Sequence, residues 1–246
     1  MNTVAKRIHI FDIMASFYMP ECTENSEFLP LTESRHAIKS LRLRVGDEIQ
    51  ILNGKGGNFK AVIVNNEKDK VFFEIHSSNV IRSTVPRLDL AVSPLKFSDR
   101  FDFLIEKACE MGVRSITPLL CQRSERKKVK SERLQRIAIS ALKQSGNPYL
   151  TEIREACTVQ SLLKSDIKGE RLAAHLDKAS ATPLIKSEIG EEACVLIGPE
   201  GGFTDDEVKK MASAGFSFIN LGPNVLRTES AALALSAYFH MLQHEA

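Results

Sequence analysis

The sequence predicts an α/β protein in two parts: a small strand-rich N-terminal region and a larger C-terminal domain built on a mostly parallel sheet. Three observations predict it. Residues 16–84 read as short strands broken by turns. From Leu88 onward strand-like and helix-like segments alternate, the pattern of a parallel sheet with crossover helices. Within that second part, residues 194–197 are short and wholly apolar, as a strand covered on both faces must be. Pro86 marks the boundary, which gives parts of 14–84 and 85–246.

In the first part, residues 48–52 (Glu-Ile-Gln-Ile-Leu) alternate polar and apolar, and residues 60–64 do so more loosely. Between them Asn53-Gly54-Lys55-Gly56-Gly57 is a turn signal. Residues 71–75 form another strand, and residues 33–43 the one expected helix. In the second part, strands are expected at 88–92, 115–121, 172–176, 194–197 and 217–221, with an edge strand at 152–156. Residues 99–111 place Phe101, Leu104, Ile105, Ala108 and Met111 on one helical face, and Gly112 follows as a C-terminal cap. Further helices are expected at 131–145, 205–214 and 229–243, with a short one opened by Thr182-Pro183.

At 43% hydrophobic and 26% charged, the composition is that of a globular protein with a sizeable core. No apolar run reaches the roughly 18 residues of a membrane span, and residues 1–13 lack a signal-peptide core, so the expected location is the cytoplasm. Five widely spaced cysteines without a CxxC pair argue for buried free thiols rather than a disulfide framework or zinc site. His240 and His244 stand four apart, but no third ligand accompanies them, so no metal is expected. The net charge is only +2, yet seven basic residues between Arg123 and Arg136 stand against Glu125 and Glu132, a local +5. A second basic group is Arg35, His36, Lys39, Arg42 and Arg44. Such patches attract polyanions while the rest of the molecule stays near neutral, although a solvated helix face also carries charge runs.

Two segments carry the chemistry. The first, Ile197-Gly198-Pro199-Glu200-Gly201-Gly202-Phe203-Thr204, follows the apolar strand and opens a helix. Thr204 and Glu207 have the spacing of a capping box, and Phe203 and Val208 that of a hydrophobic staple. A glycine-rich turn between a strand and a capped helix makes a ligand crevice at the carboxyl end of a sheet. It matches neither GxGxxG nor the phosphate-binding P-loop, and Glu200 sits badly beside a phosphate, so a neutral or cationic ligand fits better. The second segment is Leu221-Gly222-Pro223-Asn224-Val225-Leu226-Arg227-Thr228-Glu229, again a strand end, a Gly-Pro turn and a helix start. The macrodipole disfavours an arginine at a helix N-terminus, so Arg227 is expected to serve more than local stability, although a surface Arg–Glu pair is the plain alternative. Two such turns at neighbouring strand ends could line one pocket.

Together, IGPEGGFTDDEV and LGPNVLRTESAALAL closely resemble the signature of the RsmE-type ribosomal RNA uridine-N3 methyltransferases of the SPOUT superfamily. Lys107–Val113, Ile116-Thr117-Pro118, Arg123-Ser124 and Gln144-Ser145 agree with it, as do His36, Leu41-Arg42, Gly46-Asp47 and Asn53-Gly54. Ala15-Ser16 stand where the family often has a basic residue, and Gly146-Asn147 where it often has arginine. The resemblance implies a trefoil-knotted α/β C-terminal domain, a PUA-like β-barrel that grips RNA, and a homodimer acting on 16S ribosomal RNA or the small ribosomal subunit. It implies S-adenosyl-L-methionine as methyl donor, held by Leu176, Ile197, Gly198, Pro199, Glu200, Gly201, Gly202, Leu221, Gly222, Leu226 and Ala231. Arg227 is the expected catalytic cation, oriented by Glu229; RNA phosphates are expected at Arg35, Lys39, Arg42, Arg123, Arg126 and Lys127. Alternatives are another SPOUT enzyme acting on a tRNA ribose hydroxyl, or a non-catalytic RNA-binding assembly factor.

Overall fold

The computed structural model describes residues 14–176 and 181–245, so residues 1–13 lie outside it. Two compact units emerge, one of residues 14–53 and 57–80, the other of 54–56 and 81–245. None of the described helices is long and apolar enough to cross a membrane.

The first unit contains β1 (Ala15–Tyr18), α1 (Leu31–Arg35), β2 (Glu48–Leu52), β3 (Gly57–Glu67) and β4 (Lys70–Val80). Its sheet runs β1-β2-β3-β4, with β1 parallel to β2 and the other pairs antiparallel. The expected alternation puts Ile49 and Ile51 of β2, and Phe59, Ala61 and Ile63 of β3, into one core with Phe17, Leu29, Val71 and Phe73. The helix expected over 33–43 begins earlier, at Leu31, and passes into a π-helical turn over His36–Ser40. It stops there because Arg42 adopts a left-handed backbone, φ +56°.

The second unit contains β5 (Thr84–Val85), β6 (Arg87–Val92), α2 (Ser98–Glu110), β7 (Ser115–Leu120), α3 (Ser131–Ser145), β8 (Glu152–Ile153), β9 (Cys157–Thr158), α4 (Val159–Leu163), β10 (Glu170–Ala174), β11 (Thr182–Pro183), β12 (Glu192–Ile197), α5 (Asp205–Ser213), β13 (Ser217–Asn220), α6 (Thr228–Leu242) and β14 (His244–Glu245). The main sheet is parallel, in the order β11-β13-β10-β12-β6-β7-β8, with β9 also pairing β7. The apolar run in β12 is explained by its position. Ala193, Val195 and Ile197 face a core with Leu90, Phe101, Leu104, Leu235 and Phe239, while Cys194 and Leu196 face a second core with Leu119, Val159, Met211 and Phe216. Helix α2 buries Phe101, Leu104, Ile105 and Ala108 as its periodicity requires, and Gly112 beyond its end takes φ +76°.

Two expectations need correcting. Thr182-Pro183 opens no α-helix: both residues pair with Ile219 and Asn220 of β13, which holds them extended, and only a 3-10 turn, Leu184–Lys186, follows. Of the edge strand expected over 152–156 only Glu152–Ile153 forms, as β8; β9 lies beyond it at Cys157–Thr158, and the two pair successive stretches of β7. Cys22, Cys109, Cys121 and Cys194 are buried free thiols and Cys157 is half-buried. Burial pushes Cys109, Cys121 and Cys194 up to about 12, so they stay protonated and act as core fillers.

Candidate active site

The site grows from the order of three neighbouring strands. β12 and β13 are separated in the sheet by β10 alone, so the turns that leave their carboxyl ends emerge side by side. In the first turn the Gly202 amide donates to the Pro199 carbonyl at 2.8 Å. Gly202 has φ +70° with open space where a Cβ would stand, so glycine is required there by conformation. Gly198 sits close against the Phe203 ring, which a Cβ would meet at 3.2 Å. The capping box forms as expected: the Thr204 hydroxyl accepts from the Glu207 amide and the Glu207 carboxylate accepts from the Thr204 amide. Phe203 and Val208 pack in the same apolar cluster.

The second turn swings outward at Gly222, φ +128°, and reaches α6 with Arg227 in an extended N-cap conformation. Thr228 then closes the site. Its buried hydroxyl donates to the carbonyl of Gly198 at 3.0 Å, which ties the start of α6 to the exit of β12. A single cavity of about 430 Å³ lies between the turns, within the size range of small-molecule sites.

All eleven residues expected to hold a donor line this cavity: Leu176, Ile197, Gly198, Pro199, Glu200, Gly201, Gly202, Leu221, Gly222, Leu226 and Ala231. Arg227 lines it too, and its guanidinium has no hydrogen-bond or ion-pair partner among the described residues. Glu229 does not. It sits one helical step on and pairs with Arg100 of α2 at 3.7 Å, so the expected orientation of Arg227 by Glu229 is replaced by an α2–α6 contact. The sequence reading missed His175, Val225 and Thr228 as lining residues. The available signal for His175 was its place directly after a strand, equivalent to Gly198 and Leu221. For Thr228 it was a small hydroxyl residue at a helix start.

The basic residues fall into two groups. Arg35 and Lys39 share Asp69 at 3.7 Å each, and Arg42 is exposed at its left-handed position. Lys127 is exposed without a partner among the described residues. Arg126 donates from Nε to the Lys128 carbonyl at 3.1 Å, while its buried Nη1 finds no partner. Arg123 has a further place that the sequence did not suggest: Nη1 donates to the carbonyls of Gly201 at 2.8 Å and Phe203 at 3.2 Å, which makes it part of the pocket wall. Farther along the stretch, Arg133 pairs with Asp102 and Arg136 donates to the Glu132 carbonyl, so part of the local +5 is structural. Among the described residues no group of acidic, histidine and cysteine side chains could hold a metal ion.

The chain matches known proteins over most of its length. Residues 82–240 match the RNA methyltransferase domain family, and residues 32–75 the RNA methyltransferase PUA domain family. The ribosomal RNA small subunit methyltransferase E of Rickettsia conorii is 32% identical over 211 residues, 84% of this chain and 86% of that one. Its counterpart in Bacillus subtilis is 29% identical over 221 residues, 83% and 86% of the two chains. Among solved structures, the ribosomal RNA small subunit methyltransferase E of Neisseria gonorrhoeae bound to S-adenosyl methionine is similar with a TM-score of 0.84 at 29% identity, over 93% of this chain and 98% of that one. A probable rRNA methyltransferase from Porphyromonas gingivalis has a TM-score of 0.83 at 33% identity, over 94% and 98%.

Proposed function

This chain belongs to the ribosomal RNA small subunit methyltransferase E family, and we propose that it transfers a methyl group from S-adenosylmethionine to N3 of a specific uridine in 16S ribosomal RNA. The observation that carries the reading is the single cavity between two glycine turns, closed by the Thr228–Gly198 bond, with an unpaired arginine on its wall. The walls fit the donor. Ile197, Leu221, Leu226 and Val225 offer apolar surface for a flat base, and the glycines expose backbone amides and carbonyls for its polar edge. Glu200, without a partner among the described residues, favours a cationic sulfonium over a phosphate.

S-adenosylmethionine supplies an activated methyl group on sulfur, so the protein's own part is to hold, align and deprotonate. Uracil N3 carries a proton at neutral pH and normally lies in the pairing edge, so the base must enter the cavity unpaired. Arg227 then stands as a fixed cation for the uracil carbonyl oxygens and stabilises the anion that develops as N3 gives up its proton to a water molecule admitted with the substrate. With no ion pair among the described residues, its donors are available to substrate. The rigid turns contribute by holding N3 in line with the methyl group.

We read the first unit as the PUA-like barrel that grips RNA and the second as the trefoil-knotted SPOUT domain, with functional domains 14–84 and 85–246. Supporting the knot, β12 and β13 insert between strands that precede them in the chain, and α6 then returns to pack on β6 and β12. Arg35, Lys39, Arg42, Arg126 and Lys127 would hold the RNA backbone and fix its register. We read the active form as a homodimer in the cytoplasm, on the small ribosomal subunit or its RNA. Phe97 and Phe103 at α2 and Met241 of α6, each more than half exposed, support a partner copy. The test is mass mapping of methylated nucleosides after incubating small-subunit RNA or subunits with the protein and S-adenosylmethionine. The expected product is 3-methyluridine at one position; ribose methylation, or none, overturns the reading.

A further inference from the structure

Glu207 does more than cap α5. A capping box uses one carboxylate oxygen, and Oε2 fills that role by accepting from the Thr204 amide at 2.9 Å. Oε1 instead accepts from the amide of Gln122, 85 positions earlier in the chain, at 2.9 Å. The next residue returns the contact, since Arg123 Nη1 donates to the carbonyls of Gly201 and Phe203. The glycine turn and the root of the basic segment are therefore closed into a ring with bonds at both ends. Glu207 is only 4% exposed, so its bonds are shielded from water and costly to break. The root is anchored from below as well. The Ser124 hydroxyl accepts from the Cys121 amide at 2.9 Å and pairs with the buried Ser93 hydroxyl at 2.8 Å, and the Ser93 amide donates to Ile197 O at 3.0 Å.

Beyond this ring the segment carries exposed Lys127 and Lys128, neither with a side-chain partner among the described residues. A polyanion docked there holds a segment whose root is bonded to the pocket wall. We infer that Glu207 and Arg123 are positioning residues that couple RNA binding at the basic segment to donor binding in the glycine turn. The two ligands act on opposite sides of one bonded ring, the polyanion through the root of the segment and the donor through the glycine turn, so each tightens the other by the same factor. The inference rests on the methyltransferase reading above and adds a coupling to it.

The test is calorimetric titration of the intact protein with S-adenosylhomocysteine, which binds without turnover, with and without a saturating single-stranded RNA fragment of the small subunit that carries uridine. Wild type is expected to bind at least ~5-fold tighter with RNA present, within the usual range of coupling. In Glu207→Gln, an amide group replaces one acceptor opposite two backbone N–H donors. Arg123→Ala, at an exposed position, is expected to retain the fold. Both variants are expected to lose coupling to less than about twofold. Lys127→Ala is expected to weaken RNA binding yet keep the coupling once RNA saturates. A purely structural role would lower donor affinity equally with and without RNA, and that result in both variants overturns the inference. Wild type that binds RNA without coupling overturns it alone. Wild type that does not bind the RNA at all overturns the function reading first, and this inference with it.

Discussion

The two ends of the parallel sheet treat charge in opposite ways. At the amino end, Arg87 pairs with Glu192 at 3.2 Å and Arg114 with the same acid at 2.9 Å. Arg114 also clamps Asp89 through Nε and Nη2, at 2.9 and 2.7 Å, and the Ser115 hydroxyl donates to Asp89 at 2.6 Å. At the carboxyl end two charged side chains on the cavity wall, Arg227 and Glu200, have no such partners among the described residues, while a third, Arg123, bonds only to backbone carbonyls. The contrast teaches that partnering separates a charge that holds the fold together from one kept for a ligand. Burial pushes the Asp89 carboxyl up, but hydrogen bonds from Arg114 and Ser115 and the charges of Arg114 and Arg154 outweigh it and hold it below the usual carboxylate range.

The largest effect should come from the unpartnered end. Arg227→Ala is expected to lower turnover by about 10²–10³-fold, the cost of removing one transition-state donor, while donor affinity by calorimetry changes little. Near wild-type turnover would erase the contrast. At the partnered end, Asp89→Asn should leave turnover intact and cost about 2–4 kcal/mol in urea unfolding, because it strips Arg114 of a shielded partner. The sign with pH follows from the lowered carboxyl. Its stabilisation is complete above the unfolded carboxylate value and is lost as pH falls through the folded one. The gap between Asp89→Asn and wild type should therefore narrow in acid, and a gap constant with pH would contradict the ion-pair account. Smallest is Thr228→Val, which removes the bond to Gly198. It should cost about 1–2 kcal/mol of stability and weaken donor binding more than it slows turnover at saturation.

Much of this was legible in the residues. The capping box at Thr204 and Glu207 is local in sequence and follows from spacing. The apolar run of β12 reported its burial on both faces, and all eleven expected donor contacts line one cavity. The misreadings were of long-range partners. Glu229 lies beside Arg227 in the chain, but the helix turns it toward Arg100. Arg123 reads as a phosphate ligand within a basic run, and the spacing gave no sign that its Nη1 also bonds carbonyls 78 and 80 positions away. Thr182-Pro183 carries a helix-start signal, and β13 takes it as an edge strand.

By itself the sequence determined the local structure: which segments bury one face or two, where the capped helix α5 begins, and where the glycine turns lie. Those depend on periodicity, capping and backbone sterics over a few residues. Only the tertiary structure decided the strand order that sets β10 alone between the two glycine turns, the Thr228–Gly198 closure, and which charges are paired. Each of these joins groups distant along the chain, and a spacing pattern carries no record of the partner that folding brings across.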